Sequence, residues 1–235
     1  MSLKNTSFSD QKIVVVIPAY NEESSIAKVL RDIPDMVNEV VVVDNNSKDN
    51  TAQVAREGGA TVLKQPLQGY GNACLMGIHY FEHQSPKPDI LVFLDADYSD
   101  HPEQLLQLVQ AINSGNDLVI GSRALGNREA GSMTFPQVFG NALATRLLYW
   151  WYGEKFTDLG PFRAIRFGQL LDLEMQDPTY GWTVEMQLKA AKKKLRCAEV
   201  PVDYRRRIGK SKISGTVKGT VLAGYKIIST LIKYR

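Results

Sequence analysis

The sequence predicts an α/β protein: a Rossmann-like, doubly wound and mostly parallel sheet with a C-terminal helical extension. Three observations carry that expectation. Ile90 to Leu94 is an unbroken apolar run, the pattern of a strand buried on both faces. Strand-like and helix-like stretches alternate from Lys12 to Ile120, as sheets with crossover helices require. Polar clusters follow three of the strand candidates: Pro18-Ala19-Tyr20-Asn21-Glu22, Asp44-Asn45-Asn46-Ser47 and Asp95-Ala96-Asp97. In an open α/β sheet these turns share one edge, where ligands bind beyond the carboxyl ends of the strands.

The elements can be justified in order. Lys12 to Ile17 is β-branched and ends at Pro18. Asn21 to Ser24 supplies helix-start residues for an amphipathic stretch to about Asp32. Glu39 to Val43 is a second strand, and Ser47 is placed to cap a helix over Thr51 to Glu57 that Gly58-Gly59 closes. Ala60 to Lys64 is a short strand, and Gln68-Gly69-Tyr70-Gly71-Asn72-Ala73 opens a helix to about Glu82. After the central strand come a helix from Pro102 to about Asn113 and a strand Asp117 to Ile120 running into Gly121-Ser122-Arg123. Thr134 and Pro136 cap a long apolar helix, Phe135 to Tyr152, stopped by Gly153. Asp158 to Ile165 returns extended, Tyr180 to Lys194 is helical, and Leu195 to Val202 is the last strand. A final helix, Thr216 to Arg235, gathers apolar residues on one face with lysines beside it.

At 235 residues the chain suits one α/β body over 1–204 with a basic segment and amphipathic helix over 205–235. From Arg205 onward there are 9 Lys/Arg and no acids, which leaves residues 1–204 at −6. A basic tail on an acidic body points to an anionic partner, a phosphate group or a lipid surface, and admits peripheral membrane contact. Basic residues do not interleave with aromatics, which disfavours nucleic acid. Cys74 and Cys197 lack metal-type spacing, and the start, Met1 to Gln11, has no signal-like apolar core, so a reduced cytoplasmic compartment is expected.

Alternate residues of an extended segment share a face, so Asp95 and Asp97 point together. Paired hard oxygens at a strand end suit Mg²⁺ or Mn²⁺ shared with a diphosphate. Asp44 reads alternatively as a helix-capping acid, Gly69 and Gly71 as simple turn residues, and Arg205 to Lys212 as a solvated loop. His79 and His83 share a helix face with no third ligand evident in the sequence.

Taken together and in order, these motifs resemble the family 2 glycosyltransferases of the GT-A fold. The nearest likeness is the branch of dolichyl-phosphate mannosyltransferases and polyprenyl-phosphate sugar synthases. The carrying residues are Val-Ile-Pro-Ala-Tyr-Asn-Glu at 16–22, Asp-Asn-Asn-Ser-Lys-Asp at 44–49, Gly-Tyr-Gly-Asn-Ala at 69–73, Asp95-Ala96-Asp97, Gly121-Ser122-Arg123, Glu199-Val200-Pro201-Val202 and the run Arg206 to Lys212. The resemblance implies a GDP- or UDP-linked sugar as donor. It would be held by Pro18, Ala19, Tyr20, Glu22, Asp44, Asn45, Gly69, Gly71, Asp95, Ala96 and Asp97. A divalent metal would sit on Asp97, with Ser99, beside Asp100, where related enzymes often carry Gln. A lipid-phosphate acceptor would be met by Arg123, Arg206, Ser211 and Lys212. Such an acceptor is already an anion and needs no base; a hydroxyl acceptor needs a carboxylate, for which Glu185 is the candidate. The expected reaction inverts the anomeric carbon. Its alternatives are transfer to a hydroxyl and a non-catalytic nucleotide-sugar binder. The sequence leaves the oligomeric state open.

Overall fold

The computed structural model describes residues 10–209 and 229–233. Among them seven strands form one sheet in the order β3-β2-β1-β4-β6-β5-β7. The strands are β1 (Ile13–Ala19), β2 (Glu39–Asp44), β3 (Thr61–Lys64), β4 (Ile90–Phe93), β5 (Leu118–Ser122), β6 (Arg163–Arg166) and β7 (Cys197–Pro201). All neighbours pair parallel except β6, which runs antiparallel between β4 and β5. The expected return segment, Asp158 to Ile165, therefore narrows to β6 and fills the middle of the sheet.

Alternation along β1 builds two cores. Val14 and Val16 face one side of the sheet, packed with Ala73, Cys74, Ile78 and Phe81 of α3 (Tyr70–Glu82) and with Trp182 of α7 (Trp182–Lys192). Ile13, Val15 and Ile17 face the other side, against α1 (Ile26–Arg31), α2 (Thr51–Glu57) and α4 (Leu105–Asn113). All five of these β1 side chains are fully buried, at about 1.5–3 kcal/mol each. That anchorage is large enough for the turns beyond the strand to adopt costly conformations. The chain order reverses between β1 and β4, which opens a crevice at their carboxyl ends.

Two helix starts differ from expectation. Pro102–Gln104 is a 3₁₀ turn before α4, and Ser47 caps nothing: its Oγ accepts the Asn21 N–H at 3.0 Å, while Asp49 caps Thr51. α5 (Phe135–Tyr152) has the predicted bounds. Gln137 accepts from both the N–H and the hydroxyl of Thr134, and Gly153 ends the helix at φ +74°. α6 (Phe167–Asp172) follows β6. Residues 229–233 are helical, with Leu231 buried in the α3 face core and Ile232 exposed; the rest of the expected C-terminal helix lies outside the described residues.

Candidate active site

Just beyond β4 the chain carries three acids past the sheet edge. Asp97 accepts the Ser99 N–H at 2.9 Å and the Ser99 hydroxyl on one oxygen, and pairs through the other with Arg207. Asp100 is buried, and neither of its oxygens receives a hydrogen bond. Burial first, then Asp95 and Asp97, push its pKa well above the carboxylate range. Burial and then Asp97 raise Asp95 to about 7. Close acids with too few donors make a site where a divalent cation would relieve both desolvation and repulsion. Among the described residues both Asp100 oxygens lack a donor, while Asp97 gives one oxygen to Ser99 and the other to Arg207. Ser99, the expected second ligand, turns its hydroxyl onto Asp97 and so orients that carboxylate.

Three non-glycine residues adopt left-handed backbone here: Asn21 (φ 54°) after β1, Asn46 (φ 65°) after β2 and Tyr98 (φ 63°) after β4. Asparagine tolerates this; a tyrosine does so only when held, at a cost on the order of 1–3 kcal/mol. Tyr98 is held by its hydroxyl on Asp32 and by the Arg205 guanidinium 3.4 Å from its ring centroid. Arg205 also donates to the Tyr98 and Asp100 carbonyls, so the start of the basic segment is pinned to the acidic turn.

The β1 and β2 turns interlock. Ala19 stands opposite Asp44, Pro18 opposite Val43, and the Asn45 N–H reaches the Ala19 carbonyl at 2.8 Å. Tyr20 follows directly and is half-buried. The Glu22 N–H donates to Thr51 Oγ1, and its buried carboxylate accepts the Ser25 hydroxyl at 2.9 Å. Asp44 is buried and accepts the Ser47 N–H at 3.1 Å. Three expected donor contacts have other work. Asn45 donates to the Gln65 and Leu67 carbonyls and accepts the Gly69 N–H at 2.7 Å, so both ends of its amide clamp the turn before α3. That explains asparagine here, since a carboxylate would face two carbonyls. A Cβ on Gly69 would lie 2.2 Å from the Pro178 carbonyl oxygen, and one on Gly71 1.9 Å from that of Asp177. These glycines admit the 177–178 backbone.

The arginines expected to meet an acceptor have protein partners in the structure. Arg123 is locked onto Asp158, with Nε and Nη2 each at 2.7 Å and its N–H at 2.8 Å. Asp158 is buried, and Arg123 more than offsets that burial, holding the carboxyl below its usual range. Arg206 turns away from the carboxylates: its N–H meets Glu129 and its Nε the Ala130 carbonyl. Arg207 enters instead, bound to Asp97 and 4.0 Å from Glu22. Glu185 is no general base in this arrangement. It is fully buried, accepts the Gln176 and Asp177 N–H groups and pairs with Lys189 at 2.7 Å, which braces the 177–178 backbone under Gly71. Ser211 and Lys212 lie outside the described residues. His79 and His83 do acquire a third group, Glu82, but all three are exposed on α3.

A groove of about 480 Å³ runs along α5, lined by Arg128, Arg146 and Lys155 together with Met133, Val138 and Tyr149, and it reaches Asp158. Beside it Phe135 (81% exposed), Phe139 (60%), Leu143 (37%) and Trp150 (69%) form an apolar stripe on α5. Asp100, Arg207, Tyr98 and the groove cations are the residues that sequence reasoning missed. Asp100 carried a signal, standing beside Ser99; the groove cations are scattered over 128–155 and carried none.

Comparison with known proteins agrees with this geometry. The model of glycosyl transferase family 2 matches residues 14–172. A dolichyl-phosphate hexose transferase of Haloferax volcanii is 32% identical over 98% of both chains. An undecaprenyl-phosphate mannosyltransferase of Micrococcus luteus is 33% identical over 88% of this chain and 90% of its own. Among solved structures, glucosyl-3-phosphoglycerate synthase from Mycobacterium tuberculosis, in complex with Mn²⁺, UDP and phosphoglyceric acid, superposes with a TM-score of 0.75 at 23% identity. The match covers 96% of this chain and 78% of that one. The fold is that of the GT-A glycosyltransferases.

Proposed function

This chain belongs to glycosyltransferase family 2, and from that premise we propose that it transfers a hexose, mannose or glucose, from a GDP- or UDP-linked donor to a polyprenyl phosphate with inversion. The observation that carries the acceptor is the α5 groove: three cations beside an apolar stripe, opening at Asp158 next to the β5 end. An amphipathic phosphate ester needs both halves. Relatives named for dolichyl and undecaprenyl phosphate support the reading.

The donor lies over the β1, β2 and β4 turns, with Asp44 and Glu22 toward the nucleoside and Asp95 and Ala96 along it. Asp97 and Asp100 would hold Mg²⁺ or Mn²⁺, which supplies charge stabilisation to the departing diphosphate. Both metals accompany UDP in neighbouring structures of the fold. Ser99 keeps the Asp97 carboxylate aimed. Arg128, Arg146 and Lys155 orient the acceptor phosphate so that an oxygen attacks from the face opposite the leaving group, which inverts the centre. The attacking group is already anionic, consistent with a site whose candidate base, Glu185, is spent on backbone amides. No helix among the described residues is long and apolar enough to cross a membrane. The exposed α5 stripe beside the groove cations is the surface that would meet the membrane carrying a polyprenyl acceptor. A second reading, a small phosphorylated acceptor, is favoured by the phosphoglycerate in the structural neighbours and by the same three cations.

Transfer assays with GDP-mannose and UDP-glucose, with and without Mn²⁺, against undecaprenyl phosphate and 3-phosphoglycerate separate the two. Metal-dependent labelling of the lipid alone supports the proposal; labelling of phosphoglycerate alone replaces it. Asp97→Asn should lower turnover at least about a hundredfold.

A further inference from the structure

Among the described residues, Arg205 and Arg207 of the basic segment both reach the acidic turn, Arg205 at its carbonyls and Arg207 at a carboxylate. Arg207 binds Asp97, the carboxylate that the family 2 reading gives to the metal, and stands 4.0 Å from Glu22 of the β1 turn. Its backbone neighbours are fixed independently of it. The Arg205 N–H reaches the Ser99 carbonyl at 3.0 Å, and the Ile208 N–H reaches that of Asp97 at 2.9 Å. The Arg207 Nε is buried and has no hydrogen-bond partner among the described residues, so the fork is only half used where it lies.

A guanidinium and a divalent cation held by the same buried carboxylate carry like charge at close range and repel each other. We propose that Arg207 is an exchanging cation: it neutralises Asp97 until metal and donor arrive, then swings on its fixed backbone to the donor diphosphate. There a guanidinium fork finds the paired oxygens that Asp97 alone does not give it. The residue would thus oppose binding of metal by itself and favour binding of metal with a nucleoside diphosphate. It makes the pair bind together, a coupling that a merely structural arginine would not produce. The inference rests on the family 2 reading in taking Asp97 as the metal ligand.

The test measures Mn²⁺ alone, by electron paramagnetic resonance of the free ion, and then UDP and GDP by calorimetry at saturating Mn²⁺. Arg207→Gln should tighten Mn²⁺ alone about tenfold and weaken the preferred diphosphate about tenfold, the two effects having opposite signs. Arg207→Lys, which keeps the charge and loses the fork, should hold Mn²⁺ within about threefold of wild type and still weaken the diphosphate, and it serves as the reading if the glutamine variant fails to fold. Mn²⁺ affinity unchanged or weaker in Arg207→Gln overturns the proposal, as does a diphosphate affinity that Arg207→Lys leaves intact. Asp97→Asn separates the two levels. Loss of Mn²⁺ there with no effect of Arg207→Gln sinks the exchange alone, whereas Mn²⁺ binding untouched by Asp97→Asn sinks the metal assignment and the exchange with it.

Discussion

The two sides of the sheet edge are built differently. The side proposed to hold the donor consists of three short turns, each continuous with a buried strand, with local bonds such as the Asn21 N–H to Ser47, the Glu22 N–H to Thr51 and the Ser99 N–H to Asp97. The side proposed to meet the acceptor is assembled from distant segments. The Arg123 guanidinium is answered by Asp158, the Asn127 amide by Asp203, and the Arg206 backbone N–H by Glu129 while its Nε meets the Ala130 carbonyl. On the first side the acids stand where the strand pattern puts them, while Asn45, Gly69 and Gly71 are drawn into the packing of the neighbouring turn. On the second side a cation's meaning depends on which acid the tertiary structure sets beside it.

This contrast can be broken by experiment, and the largest effect belongs to the acceptor side. Arg123→Ala leaves Asp158, which is 1% exposed, charged and without its guanidinium. Breaking such a buried pair costs about 3–5 kcal/mol, to be read from chemical or thermal unfolding. A variant with native stability but a raised acceptor KM would return Arg123 to the acceptor. Next, Arg146→Ala and Lys155→Ala should each raise the acceptor KM about three- to tenfold with donor affinity unchanged, and more than Arg206→Ala does. Equal effects from all three would dissolve the groove assignment. On the donor side, Asn45→Asp faces a carboxylate with the Gln65 and Leu67 carbonyls and should cost about 1–3 kcal/mol of stability. If stability holds and only the choice between UDP and GDP changes, Asn45 touches the nucleotide.

The smallest effect is in pH. Hydrogen bonds from Arg196 lower Asp117, and Arg123, against the opposing effect of burial, lowers Asp158. Both folded values lie below the unfolded carboxylate value of about 3.9, so the unfolded chain takes up protons first on acidification. Their contribution is complete above that value and is lost as the pH falls through the lower folded ones. Urea unfolding should accordingly show a flat contribution from these pairs near neutrality and a loss below about pH 4. The loss from the Asp158 pair should vanish in Arg123→Ala.

Much of the fold was legible because it rests on local pattern. The bounds of α5 follow from Thr134, Pro136 and Gly153, and β4 from an apolar run, signals that need no knowledge of neighbours. Asp97 and Asp44 were legible for the same reason: a carboxylate just beyond a buried strand has nowhere to go except the sheet edge. The placing of β6 was not, because an antiparallel strand in the middle of a parallel sheet depends on what lies on both sides of it.

What the sequence by itself determined, then, is the donor edge: strand ends, polar turns and the acids they carry, all set by period and by turn chemistry over a few residues. Only the tertiary structure decided which cation meets which acid. Arg206 and Arg207 are neighbours, and spacing favoured the first. The backbone bonds from Arg205 and Ile208 to the acidic turn put the second against Asp97. Packing elsewhere in the fold likewise left Glu185 inside the protein and gathered Arg128, Arg146 and Lys155 into one groove. Charge acts through space over several ångströms, so its partners are set by folding and leave no periodic trace along the chain.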